Sequence, residues 1–123
     1  MKGSNLIQAT RNALKKLIVF NARELAKFYG DDSKAVELTD DDFGVTPMVN
    51  IEVESASGNQ TWMEKRYVRN VDVSETDDVS IGIESGDDIS REYISWEKLS
   101  SEELAVIADC IESSYLTKKA YNG

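Results

Sequence analysis

The sequence predicts an α+β protein: an N-terminal helix, a three- to five-stranded antiparallel meander, and a C-terminal helix packed on the sheet. Three observations carry this. Apolar residues recur at helical spacing in the first thirty positions and again after residue 100. The stretch between them alternates apolar and polar residues, as half-buried strands do. Short polar runs punctuate that stretch, and strands joined so briefly pair with their neighbours instead of crossing over. At 123 residues the chain fits one domain over 1–123.

The first helix is expected from about Asn5 to Tyr29. At 100° per residue, Leu6, Ala13, Leu14, Leu17, Ile18, Phe20, Leu25 and Phe28 fall on one arc, with Arg11, Lys15, Lys16, Arg23 and Lys27 opposite. Asn21 and Glu24 interrupt the apolar arc, so the helix either breaks near Asn21 or finds polar partners for both residues. Gly30 suits the position just past the helix end, where a left-handed conformation is needed, and Lys27 suits the negative end of the helix dipole.

Strands follow. Ala35-Val36-Glu37-Leu38 reads as an edge strand, and Val49 to Glu54 alternates after the single proline, Pro47. Thr61 to Ser74 is long for one strand, which predicts a bulge or break near Arg69-Asn70. Val79 to Glu84 alternates again, and Arg91 to Trp96 makes a shorter last strand. Ser57-Gly58-Asn59, Glu75 to Asp78 and Ser85 to Asp88 supply the turns. Lys65, Arg66 and Arg69 are expected to pair across strands with Glu52 and Glu54. Ser100-Ser101-Glu102-Glu103 is a capping box that opens the last helix, with Glu103 reaching back to Ser100. Leu104, Ile107, Ala108, Ile111 and Tyr115 then repeat at helical spacing.

Two short matches are set aside on context. Tyr29-Gly30-Asp31-Asp32 resembles the catalytic motif of RNA-templated polymerases, but helix-forming residues precede it where that motif needs a strand. Asp42-Phe43-Gly44 resembles the metal-binding triplet of protein kinases without the glycine-rich loop, lysine strand or catalytic loop that accompany it. Thr39 instead caps a helical turn with Asp42 at its third position.

Composition narrows the chemistry. The chain has no histidine, which removes the commonest general base and metal ligand together. The single cysteine, Cys110, lies beside the apolar seam of the last helix and reads as a small packing residue. No cofactor and no metal are expected, and no enzymatic activity. No apolar run is long enough for a membrane span. Arg11, Lys15 and Lys16 break up the apolar region that a signal peptide needs, so a cytoplasmic location is expected.

Charge gives the remaining signal. Residues 1–30 hold six Lys/Arg against one Glu, whereas residues 31–112 hold 22 Asp/Glu against six Lys/Arg. Two functions are compatible with that division. One is a non-enzymatic interaction or accessory protein, including a homodimer, that uses a helix or a strand edge. The other is an acidic inhibitor that presents Asp40, Asp41, Asp42, Asp77, Asp78, Asp87 and Asp88 to a basic, nucleic-acid-handling protein. Only in size and charge is that second reading similar to small DNA-mimic, anti-restriction or nuclease-immunity proteins. Direct nucleic-acid binding is not expected of either, because the net charge is −9.

Overall fold

The computed structural model describes residues 2–85 and 90–122, with side chains from Asn5 to Tyr121. Its elements are α1 (Lys2–Lys27), β1 (Val36–Thr39), β2 (Met48–Glu54), β3 (Thr61–Val73), β4 (Val79–Glu84), β5 (Arg91–Ser95) and α2 (Ser101–Asn122). Two single 3-10 turns, Asp40–Asp42 and Trp96–Lys98, sit between them. The architecture is the expected α+β arrangement. Trp96 is buried beside Leu99 in the second of these turns, so β5 stops one residue sooner than its pattern suggests.

α1 is one unbroken helix, and Asn21 lies in its buried face. A single Asn costs a helix interior a few tenths of a kcal/mol, much less than leaving two extra helix ends unsatisfied. Glu24 finds its polar partner in Lys27 at 2.7 Å. The Nδ2 of Asn21 finds none among the described residues. The helix ends as its sequence implies. Gly30 takes φ +82°, its N–H donates to the Lys27 carbonyl, and the Asp31 N–H donates to the Ala26 carbonyl.

The face that α1 buries differs from the predicted arc. Ile18, Val19, Ala22, Leu25 and Ala26 enter the core, while Leu6 and Phe20 remain exposed. The small Ala22 and Ala26 let the helix sit close to its neighbours, and this rotates the bulky half of the arc outward. α1 runs parallel to α2. Arg11 donates to the carbonyls of Glu97 and Leu99 just before α2 begins. Seventeen residues further along, Phe28 meets Tyr115 with ring centroids 6.1 Å apart. Residues before Arg11 therefore project about 13 Å beyond the start of α2.

α2 contributes Leu104, Ile107, Ala108 and Ile111 to the core, as its spacing predicts. Its cap is only half the expected box. Ser100 Oγ accepts the Glu103 N–H at 3.3 Å, but the Glu103 carboxylate accepts the backbone N–H of Asn50 at 2.8 Å instead of turning back to Ser100. Satisfying a strand N–H that lacks a ladder partner ties the helix start to β2.

The sheet is ordered β1-β3-β4-β5, and β2 also pairs with β3; every pairing is antiparallel. β2 pairs with β3 from Thr61 to Tyr67, and β1 pairs with it from Asn70 to Val73. Eight residues, 40–47, thus lie opposite only Val68 and Arg69 and bulge out as a loop. A register shift between Val68 and Asn70 marks the expected bulge. It reverses the alternation of β3: Val68 points to the core before it, Val71 and Val73 after it, and Met63 and Tyr67 are left outside.

The basic residues of β3 pair differently from expectation. Arg66 binds Glu64 two positions along its own strand, helped by the Glu84 carbonyl. Arg69 spans Asp40 at 3.0 Å and Glu84 at 2.7 Å, which raises its guanidinium above the ordinary value, Glu84 contributing most. Lys65 lies opposite Asn50 in the register. Glu52 and Glu54 face Met63 and Thr61, so neither meets a cation across the ladder.

On the outer face Asn70 is fully buried over Gly82, its register partner. A Cβ at residue 82 would lie 2.0 Å from Asn70 Oδ1. That oxygen accepts from Arg91, and the Asn70 amide donates to Asp72. Gly82→Ala is therefore expected to cost about 1–3 kcal/mol through overpacking, read as a lowered midpoint in urea. Asn21→Leu should raise stability by about 1 kcal/mol or more, since it removes an unpaired buried amide. Thermal melts of both variants check the two signs.

Candidate functional site

Of the seven aspartates singled out by sequence, Asp40, Asp42, Asp77 and Asp78 are engaged in local structure. Asp40 is paired with Arg69. Asp42 accepts the Thr39 N–H at 2.9 Å, which fixes the 3-10 turn as anticipated. Asp77 takes a left-handed conformation, φ 67°, in the β3–β4 turn, and pairs with Arg23 of α1 at 2.8 Å. Arg23 also donates to the carbonyls of Lys34 and Ser74, so this contact pins the turn to the helix. Asp78 accepts the Val79 N–H, and Asp41 is exposed. Asp87 and Asp88 lie outside the described residues.

The acidic loops also face different neighbours. Asp41 and Asp42 line a groove against α2, while Asp77 lines a separate cleft against α1. Turn geometry explains these residues well: Asp side chains bond nearby amides and tolerate left-handed backbone.

The groove beside α2 has a volume of about 560 Å³ and forms where the 40–47 loop leans on the helix. Phe43, Val45 and Pro47 supply one wall, Val106 and Cys110 the other. The loop is held by a Gly44 N–H donating to Ser114 Oγ at 3.3 Å and by the Cys110 thiol donating to the Val45 carbonyl at 3.3 Å. Burial pushes the thiol pKa up, and the Asp109 charge adds to that shift. Both effects hold Cys110 in the protonated form, the opposite of what a nucleophile needs. Among the described residues no group of three or more Cys, Asp or Glu gathers to hold a metal ion.

A different feature presents itself on the outside of the two helices. The half of the α1 arc that the core leaves unused forms a stripe of Leu6, Ala13, Leu17 and Phe20. Leu6 is 69% exposed and Phe20 57%. Leu17 also lines the α1–α2 groove with Leu14, Ala105, Val106 and Ala108, and Asp109 and Glu112 line the same groove from α2; Leu116 of α2 is exposed in its own right. Lys16 and Lys27 border the stripe on α1. Contiguous exposed apolar area rimmed by charge is the usual mark of a protein-binding surface. The sequence contained this signal. The apolar arc of α1 is wider than one packed face requires.

No protein-family model, curated protein or solved structure matches the chain. Among the described residues no helix is long and apolar enough to cross a membrane.

Cys110 should react with a thiol-directed disulfide reagent more slowly than a free thiol at pH 8, because less of it is thiolate and the 40–47 loop covers it. Its rate should keep climbing with pH beyond the point where an unhindered cysteine levels off. A plateau at the ordinary thiol pKa would contradict the burial argument.

Proposed function

We propose that this chain is a non-enzymatic interaction module that works through the outer face of its helix pair. The observation that supports it is the exposed stripe of Leu6, Ala13, Leu17 and Phe20 on α1, with Val106 and Leu116 exposed on the neighbouring α2.

The partner that fits this face best is a second copy of the chain. Lys16 and Lys27 flank the apolar stripe on α1, and Asp109 and Glu112 lie on the α2 side of the groove. A two-fold axis parallel to the helices reverses that arrangement in the facing copy. Lys16 and Lys27 then come over the partner copy's acidic side while the apolar stripes bury one another, as an isologous interface requires. The acidic-inhibitor reading is less well supported, because Asp40, Asp42 and Asp77 are engaged in caps and ion pairs and the acidic loops border separate clefts.

The double variant Leu6→Asp/Phe20→Asp is expected to abolish self-association at micromolar protein while leaving the thermal midpoint of the folded chain nearly unchanged, both residues being more than half exposed. Light scattering after size exclusion reads the mass. A wild-type chain that stays monomeric at high micromolar concentration removes the second copy as partner. Wild-type association that the variant leaves intact moves the interface off this face.

A further inference from the structure

The backbone accounting of the sheet leaves two strand edges open toward one another. In the β4–β5 hairpin, the Ser85 N–H donates to the Ser90 carbonyl at 3.0 Å. Antiparallel ladders alternate hydrogen-bonded and non-hydrogen-bonded pairs. With the observed register, residues 92 and 94 therefore direct their N–H and C=O groups to β4, and residues 91, 93 and 95 direct theirs away.

β2 alternates in the same way. The Ser55 N–H bonds the Gln60 carbonyl at one end of its ladder, and the Val68 N–H bonds the Pro47 carbonyl at the other, both at 2.9 Å. Residues 49, 51 and 53 accordingly face β3, and residues 50, 52 and 54 face outward. Asn50 confirms the assignment, since its N–H goes to Glu103.

A slot of about 480 Å³ lies between these edges, lined by Ile51, Glu52 and Glu54 from β2 and by Tyr93, Ile94 and Ser95 from β5. Successive residues of a strand point to opposite faces. A cavity that touches both parities of both strands therefore reaches the level of the sheet between the edges, and at the Glu54 end it extends to Thr61 of β3. The outward-directed backbone positions 52, 54, 93 and 95 all border it. The curled sheet stops short of closing, and the slot is where closure is missing.

We propose that this slot receives an extended segment of a partner protein, which adds a strand along the open edge of β5 beside β2. The lining specifies its chemistry. Ile51 and Ile94 lie on the core side, so alternate residues of the segment are apolar. Glu52 and Glu54 on the outside and Glu92 at the rim outnumber Lys98, so the residues between are Lys or Arg. Glutamates on an exposed edge also discourage pairing with other copies of this acidic chain, which makes the edge selective for a basic strand. This surface is separate from the helix face proposed above.

The test uses the full chain and a nine-residue capped peptide of alternating Lys and Val, with a Glu/Val peptide as control. Amide hydrogen exchange followed by NMR should show added protection at Glu52, Glu54, Tyr93 and Ser95 with the Lys peptide alone. Tyr93→Pro removes an outward N–H without breaking the β4 ladder. It should weaken binding by about tenfold, roughly the worth of one hydrogen bond, while Tyr93→Ala binds as the wild type does. Equal binding of the Glu peptide, protection on α1 instead, or unchanged binding by folded Tyr93→Pro each overturns the proposal. So does protection of Tyr93 and Ser95 that grows with protein concentration in the absence of peptide, which would assign the edge to self-pairing. If Tyr93→Pro does not fold, the wild-type exchange pattern decides alone.

Discussion

The bulge at Val68–Asn70 is the constraint on which the rest of the molecule depends. β3 is thirteen residues long and serves two different neighbourhoods, the β2 hairpin along its first half and β1 with β4 along its second. A strand of strict period two would show the same face to the core throughout. The extra residue reverses that face, so Val68 and then Val71 and Val73 point inward, and the sheet curls at the same place. Arg69, at the bulge, draws Asp40 and Glu84 together from the loop and from β4. Just beyond it, Asn70 occupies the space that Gly82 leaves, and Arg91 closes over it. One local irregularity thereby fixes the register of β4, the path of the 40–47 loop, and the gap between β2 and β5.

What could be read from the chain alone follows the distance over which the responsible forces act. Gly30 as helix terminator, Thr39–Asp42 as a capped turn, the edge strand at Val36 and the bulge near Arg69-Asn70 are decided by near neighbours, and all are found. What near neighbours do not decide is which charges pair once the chain is folded. Arg66 and Arg69 select Glu64, Glu84 and Asp40, because the bulge and the loop set which carboxylates come within reach. Glu103 leaves its own cap for Asn50, since an unpaired strand N–H competes with the helix for the same carboxylate. The two apolar flanks of α1 look alike in sequence, and only the fit of Ala22 and Ala26 against the rest of the core settles which one is buried.

The candidate surfaces follow the same division. The acidic residues are conspicuous as composition, yet the Asp42 carboxylate bonds the Thr39 amide and that of Asp77 pairs with Arg23 to hold its turn against α1. The exposed helix face and the open strand edges left no motif. Each arises from an element that the fold uses on one side only, and periodicity alone does not say which side.

The parallel run of α1 beside α2 also governs the order in which this chain can acquire its structure. The partners of Arg11 are the carbonyls of Glu97 and Leu99, and those of Phe28 and Tyr29 are Tyr115 and Lys118, so the first helix waits for residues made some ninety positions later. During synthesis α1 emerges with both of its apolar flanks uncovered, and only completion of α2 covers one of them. Contacts of such long sequence separation slow folding and concentrate it into a late, cooperative step. Until α2 docks, the chain shows the Leu17 and Phe20 surface together with the face that α2 later covers.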